Sequence, residues 1–221
     1  MDKLQRRNFI TKRIARELPD GSIVNLGIGM PTLVANHVPE NVHIIIESEN
    51  GVLGVGPAPK PGFEDPDYTN AGGTMITALP GASFFDSAVS FGLIRGGHID
   101  ITVLGALQVD QDGNLASWTV PGKRVNGMGG AMDLVISARR VIVAMEQKTV
   151  KGELRLLEKC TFPLTAVGVV HRIVTEMAVI DVVPGRGFVL RETAPGLSID
   201  DVRACVGAKL HVDGDVTVMQ V

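Results

Sequence analysis

His43-Ile44-Ile45-Ile46-Glu47-Ser48-Glu49-Asn50-Gly51-Val52-Leu53-Gly54-Val55-Gly56-Pro57 is the stretch whose reading decides the fold of this chain. Its opening residues, 43–46, are too apolar and too β-branched for a surface loop, and with their neighbours they read as a strand over 42–47 buried on both faces, the type found in parallel sheets. Glycines then break the run. Glu49 is therefore placed at the carboxyl end of a buried strand, and ligands collect just outside that edge of an open α/β sheet. The glycines at 51 and 54 would let the backbone approach a substrate without a side-chain clash.

The neighbouring segments extend the same pattern. Residues 5–18 carry Ile10, Ile14 and Leu18 at helical spacing with basic residues between, and Pro19-Asp20-Gly21 ends them. Residues 22–26 read as a strand, followed by Gly27-Ile28-Gly29-Met30-Pro31-Thr32, where proline suits the first turn of a helix running to residue 37. Residues 57–70, rich in proline and acidic side chains, read as an exposed irregular excursion. Beyond it come a short strand ending at a turn within 71–82, a helix over 83–94 stopped by Arg95-Gly96-Gly97, and a strand at 99–104. A strand or hairpin follows about Asp112-Gly113-Asn114, then a glycine-rich loop at 120–130 and a helix at 132–138. Strands are expected at 140–145, 166–170, 173–175, 178–183 and 188–191, and Ser198 caps a last helix whose first turn holds Asp200 and Asp201. The sum is an α/β fold with an open, mixed, largely parallel sheet and flanking helices.

Composition narrows the function classes. The 221 residues suffice for one α/β domain over 1–221, with no evident linker. A net charge of -3 without a basic block argues against a nucleic-acid surface, and no apolar run reaches membrane-spanning length. The mixed-charge start has no secretory pattern, and Cys160 and Cys205 lack any metal-ligand or disulfide spacing, so a reducing cytoplasm is expected. The 26 glycines fall largely in clusters after apolar runs, as suits loops that meet a ligand through their backbone.

A glutamate in a cleft can act as general acid or base, bind a metal, or attack as a nucleophile. Sugar hydrolysis would need a facing carboxylate, for which only Glu47 is at hand. The five histidines are scattered, so no metal site is expected. Nucleophilic attack needs an ionised carboxylate beside an activated carbonyl, with backbone N–H groups to take up oxyanion charge. Standing alone, Asn50-Gly51 is first of all a turn signal, with Glu49 solvated before it.

The longer string Ser48-Glu49-Asn50-Gly51 resembles the signature of the β subunit of family I coenzyme A transferases, which include the 3-oxoacid and acetate/butyrate–acetoacetate enzymes. Val24-Asn25-Leu26-Gly27-Ile28-Gly29-Met30-Pro31-Thr32, Leu79-Pro80-Gly81-Ala82, Ser90-Phe91-Gly92-Leu93-Ile94-Arg95-Gly96-Gly97-His98-Ile99-Asp100, Leu104-Gly105-Ala106-Leu107-Gln108-Val109-Asp110 and Gly127-Met128-Gly129-Gly130-Ala131-Met132-Asp133-Leu134 resemble that subunit too, in the same order. The resemblance implies a fold shared with certain sugar-phosphate isomerases and a catalytic Glu49. It implies transfer of CoA between an acyl-CoA and a free carboxylic acid, through a glutamyl anhydride and a glutamyl-CoA thioester. CoA would be a substrate, with no resident cofactor, and an α subunit would complete an αβ or α2β2 assembly.

By the same resemblance Gly130, with Gly129, is the oxyanion-hole or CoA-contact position, although a glycine loop leading into a helix is commonly no more than that. Asn50, Gly51 and Gln108 are further candidates for acyl or CoA contact, Asn50 and Gln108 being equally suited to bracing a loop. Lys123 and Arg124 could face CoA phosphates, and His98 reads as a loop or core residue. Three positions depart from the family pattern: Ile46 stands where leucine or phenylalanine is usual, Glu47 where glutamine or histidine is usual, and Gln147 where histidine is frequent. A charge at 47 would bear on the proton affinity of Glu49 or on acyl choice. The alternatives are a sugar-phosphate isomerase-like enzyme, for which a phosphate loop is missing, and a non-catalytic acyl-CoA-binding subunit.

Overall fold

In the computed structural model, which describes residues 1–122, 125 and 127–221, helix α1 spans Lys3–Ala15. Asp2 caps it, accepting the Gln5 N–H while the Gln5 side chain accepts the Asp2 N–H, and Ile10 and Ile14 turn inward. β1 (Ile23–Leu26) leads into a helix of the tighter 3₁₀ type at Pro31–His37, then come β2 (Ile45–Ser48), β3 (Val52–Val55) and β4 (Ala78–Phe84). Asp86 caps α2 (Ser87–Arg95) through the Val89 N–H. β5 (Ile101–Leu104), β6 (Gln108–Asp110), β7 (Leu115–Ala116), α3 (Ala131–Ser137), β8 (Arg140–Ala144) and β9 (Leu156–Leu157) follow. The chain closes with β10 (Arg172–Val174), β11 (Ala178–Val183), β12 (Gly187–Thr193), α4 (Ile199–Arg203) and β13 (Leu210–Val218).

These strands build a 10-stranded sheet in the order β13-β12-β11-β10-β8-β5-β1-β2-β3-β4 and a 3-stranded sheet in the order β7-β6-β9. β10, β8, β5, β1 and β2 run parallel, while antiparallel pairings add β3 and β4 on one side and β11 and β12 on the other. From β1 the chain moves to β2 on one side and later returns to place β5 on the other. A crevice therefore opens at the carboxyl ends of β1 and β5, where loops leave the sheet toward opposite faces.

Strand alternation supplies a core on each face. On β8, Ile142 and Ala144 join Ile10, Ile14 and Leu18 in one core, whereas Val141 and Val143 join Val135, Leu156, Phe188 and Val202 in the other. A smaller cluster of Ile94, Ile99, Leu134 and Ala138 ties α2 to α3. The open mixed sheet read from the sequence is thus the one found.

Some segments differ from the sequence reading, each for a physical reason. Residues 52–55, read as part of a glycine turn, form β3, because the turn at 49–51 is tight enough to return the chain antiparallel to β2. β4 continues past Pro80-Gly81 as an edge strand, but with a bulge: its pairing to β3 jumps from Leu53–Ser83 to Val55–Ala78, and Gly81 turns at φ +88. Residues 166–170 are not a strand: one bridge, Leu115 to Ala166, is made, and the Val169 and Val170 N–H groups both turn to Gly113 O. β13, with charged residues interleaved, escaped the apolar pattern entirely.

Candidate active site

At the carboxyl ends of β1, β2 and β5 lies a cleft of about 730 Å³. Gly27 and Gly105 border it where β1 and β5 end, Ser48 and Glu49 where β2 ends, and Gly129 and Gly130 where α3 begins. Glu49 is half-buried in the turn between β2 and β3. The Gly130 N–H donates to its Oε1 at 3.3 Å. Gly129 has φ +53, and a Cβ at Gly130 would lie 2.5 Å from Glu49 Oε2 and 2.8 Å from Phe91 Cζ. That loop can lie against the carboxylate because Gly130 lacks a side chain and Gly129 takes the left-handed turn that brings it there.

The end of the excursion, Asn70, and the residues that follow it, Ala71, Gly72 and Thr74, form a wall of this cleft. Two bonds tie it to the Glu49 turn: the Ala71 N–H donates to Ser48 Oγ at 3.0 Å, and Asn50 Nδ2 donates to Thr69 O at 2.7 Å. Composition marked the segment as irregular, and nothing in it signalled a return to the sheet edge.

Beneath the turn runs a polar row that the sequence reading did not find. Register places Thr102 beside Asn25 and Asn25 beside Glu47, on β5, β1 and β2. Asn25 Nδ2 donates to Glu47 Oε2 at 2.8 Å, Ser90 Oγ of α2 donates to Glu47 Oε1 at 2.9 Å, and Thr102 Oγ1 donates weakly to Asn25 Oδ1 at 3.4 Å. Glu47 is 1% exposed. Burial pushes its carboxyl above the usual range, and the nearby Glu49 charge pushes the same way, while the Asn25 and Ser90 bonds oppose both. The signal was available as polar residues inside apolar strands, but their lateral alignment required the register.

A family model described as coenzyme A transferase matches residues 7–204. The chain belongs to the coenzyme A transferase family. It is 53% identical to the β subunit of the acetate CoA-transferase of Escherichia coli K12, over 220 residues covering 100% of this chain and 99% of that one. It is also 53% identical to a subunit of the probable succinyl-CoA:3-ketoacid coenzyme A transferase of Bacillus subtilis, over 196 residues covering 89% and 90%. An acyl-CoA transferase from E. coli O157:H7 shares the fold: its apoenzyme gives a TM-score of 0.77 at 19% identity, covering 100% of this chain. This CoA-transferase chain spans 44% of that longer protein.

Within this CoA-transferase the expected site residues divide in two. Glu49, Gly129 and Gly130 meet in the cleft. Gln108 does not reach it: its Oε1 accepts the Thr161 and Phe162 N–H groups and its Nε2 donates to Thr161 Oγ1, so its amide braces the loop after β9. Asn50 is likewise engaged with the excursion. Gly51 faces the chain and not the cleft, because at φ +115 a Cβ there would fall 1.9 Å from Phe85 O, and at Gly54 a Cβ would meet Ala82 at 3.0 Å. Both glycines serve the packing of β3 against the segment that starts with β4.

Gln147, fully buried, donates from Nε2 to Cys205 O at 2.9 Å and takes no part in the cleft. His98 is an exposed loop residue. Lys123 and Arg124 lie outside the described residues. Cys160 and Cys205 are free thiols, and burial beside Asp110 pushes Cys160 up to about 12, which leaves it unreactive. Among the described residues no cluster of His, Cys, Asp and Glu could hold a metal, and no helix is long and apolar enough to cross a membrane.

Proposed function

We propose that this chain is the catalytic β subunit of a CoA-transferase that moves CoA between an acyl-CoA and a free carboxylic acid, with Glu49 as nucleophile. The observation that carries the assignment of the site is the half-buried Glu49 carboxylate in the cleft, faced at 3.3 Å by the Gly130 N–H. Its substrates are short 3-oxoacids such as acetoacetate, exchanged with succinate, acetate or butyrate.

A Glu49 oxygen attacks the thioester carbonyl, the C–S bond breaks, and CoA leaves as thiolate, giving a mixed anhydride. The thiolate then attacks the glutamyl carbonyl, the C–O bond of the anhydride breaks, and the donor acid leaves as carboxylate. What remains is a glutamyl-CoA thioester. An incoming carboxylate repeats the two steps in reverse. Each step develops negative charge on a carbonyl oxygen next to residue 49, where the Gly129-Gly130 backbone can supply a donor without a side chain in the way. The anhydride holds its activation only if water is kept out, and the excursion wall over the Glu49 turn suits that need.

CoA is a substrate here, and no resident cofactor is required. The chain acts as one domain over 1–221, in the cytoplasm, with an α subunit in an αβ or α2β2 assembly. Incubation of the assembled pair with acetoacetyl-CoA should leave a CoA adduct on the Glu49 peptide, read by mass spectrometry. Glu49→Gln should lose the adduct and lower kcat on the order of 10³-fold or more. A Glu49→Gln enzyme that still exchanges CoA would remove the assignment.

A further inference from the structure

We propose that Glu47 is a positioning residue that works as a neutral carboxylic acid, clamping β1, β2 and α2 together behind Glu49. The inference rests on the proposed role of Glu49 for its catalytic readout and on geometry for the rest. Glu47 is 1% exposed, and its partners, Asn25 and Ser90, are both uncharged. The charged groups on the surrounding elements are turned to other work. Asp86 caps α2 through Val89 N–H, Arg95 pairs with Asp133 at 2.7 Å, and Asp100 binds the Ile23 N–H and pairs with Arg139. β3 carries no titratable residue. Among the described residues no cation reaches Glu47, and the charge that acts on it is that of Glu49, of like sign.

A carboxylate buried without a counter-charge carries a desolvation penalty that protonation removes. The 2.9 Å contact to Ser90 serves either protonation state, since the serine hydroxyl donates to a carboxylate and accepts from a carboxylic acid. The clamp matters to the site because Ser90 immediately precedes Phe91. Phe91 abuts Gly130, and Gly130 presents its N–H to Glu49. Ionisation of Glu47 would set a second negative charge behind a residue whose reaction steps each pass through an anionic tetrahedral state. It would also strain the junction that fixes α2.

Raised proton affinity in the folded state has a defined consequence. The stabilising contribution is complete below the unfolded value, 4.5, and is lost as pH climbs through the higher folded value. Glu47→Gln keeps the shape and cannot ionise.

The test compares wild-type, Glu47→Gln and Glu47→Ala. In the purified chain the infrared spectrum at neutral pH should show the carbonyl stretch of a protonated, buried carboxylic acid, absent from Glu47→Gln. The unfolding temperature of Glu47→Gln relative to wild-type should rise with pH. In the assembled enzyme Glu47→Gln should keep kcat within about twofold at neutral pH and extend activity to higher pH, while Glu47→Ala should lower kcat about tenfold with KM little changed. An absent carboxylic-acid band, superposable pH profiles, or a tenfold loss of kcat in a stably folded Glu47→Gln would each overturn the proposal. Failure of the transferase reading is told apart, since it would abolish turnover in wild-type as well and leave the infrared and unfolding results intact.

Discussion

At Gly130 a single hydrogen atom separates a working cleft from a blocked one. A Cβ there would fall 2.5 Å from Glu49 Oε2, closer than real contacts allow, and Phe91 closes the other side at 2.8 Å. Gly130→Ala must displace the carboxylate or the ring. We expect kcat to fall about 10²-fold, with the unfolding temperature little changed because the residue is an N-cap outside the main cores. Steady-state transfer rates set beside a thermal melt check this. Glu49 could be picked out in the sequence as a carboxylate after an apolar strand, but its expected role and the choice of Gly129-Gly130 came from the resemblance to the coenzyme A transferase β subunit, because a glycine loop before a helix is by itself only a turn signal. Gln108 and Asn50 show the limit of that reading. A polar residue at a strand end has bonds to make, but only the fold reveals that Thr161, Phe162 and Thr69 take them.

The element that holds Glu49 is the β2–β3 hairpin, and its turn depends on Gly51. At φ +115 a side chain is strained whatever the space, and here a Cβ would also sit 1.9 Å from Phe85 O, whose own N–H donates to Gly51 O at 3.0 Å. Gly51→Ala should therefore destabilise the chain by about 3 kcal/mol or more and reduce folded yield, in contrast to the mild effect at Gly130. Urea unfolding of the two variants side by side tests the distinction. The hairpin was only half legible. Ile44 to Ile46 announced β2, but Gly54 and Gly56 made residues 52–55 look like loop, since a close backbone approach and a chain break draw on the same residue type. The reverse error at 166–170 arose because an apolar run can be buried without being paired.

For the molecule as a whole, the cleft is open and the excursion forms one of its walls, while β4 leaves the sheet edge exposed. Its 53% identical relatives are named as subunits, and we expect this chain alone to transfer CoA at about a hundredth or less of the rate of the α/β pair. Titrating α into a fixed amount of this chain should raise activity to a break at equimolar subunits, and full turnover without α would contradict the expectation. By itself the sequence determined the alternation of buried strands and helices, the parallel centre of the sheet and the carboxylate at its edge. Those follow from local periodicity and from the few residue types able to do the chemistry. The tertiary structure alone decided that Gly130, far along the chain, faces Glu49, that Asn70 to Thr74 at the end of the excursion wall the cleft, and that Thr102, Asn25 and Glu47 share one buried row. Each of these depends on strand register and loop return, which are fixed by packing between segments distant in sequence.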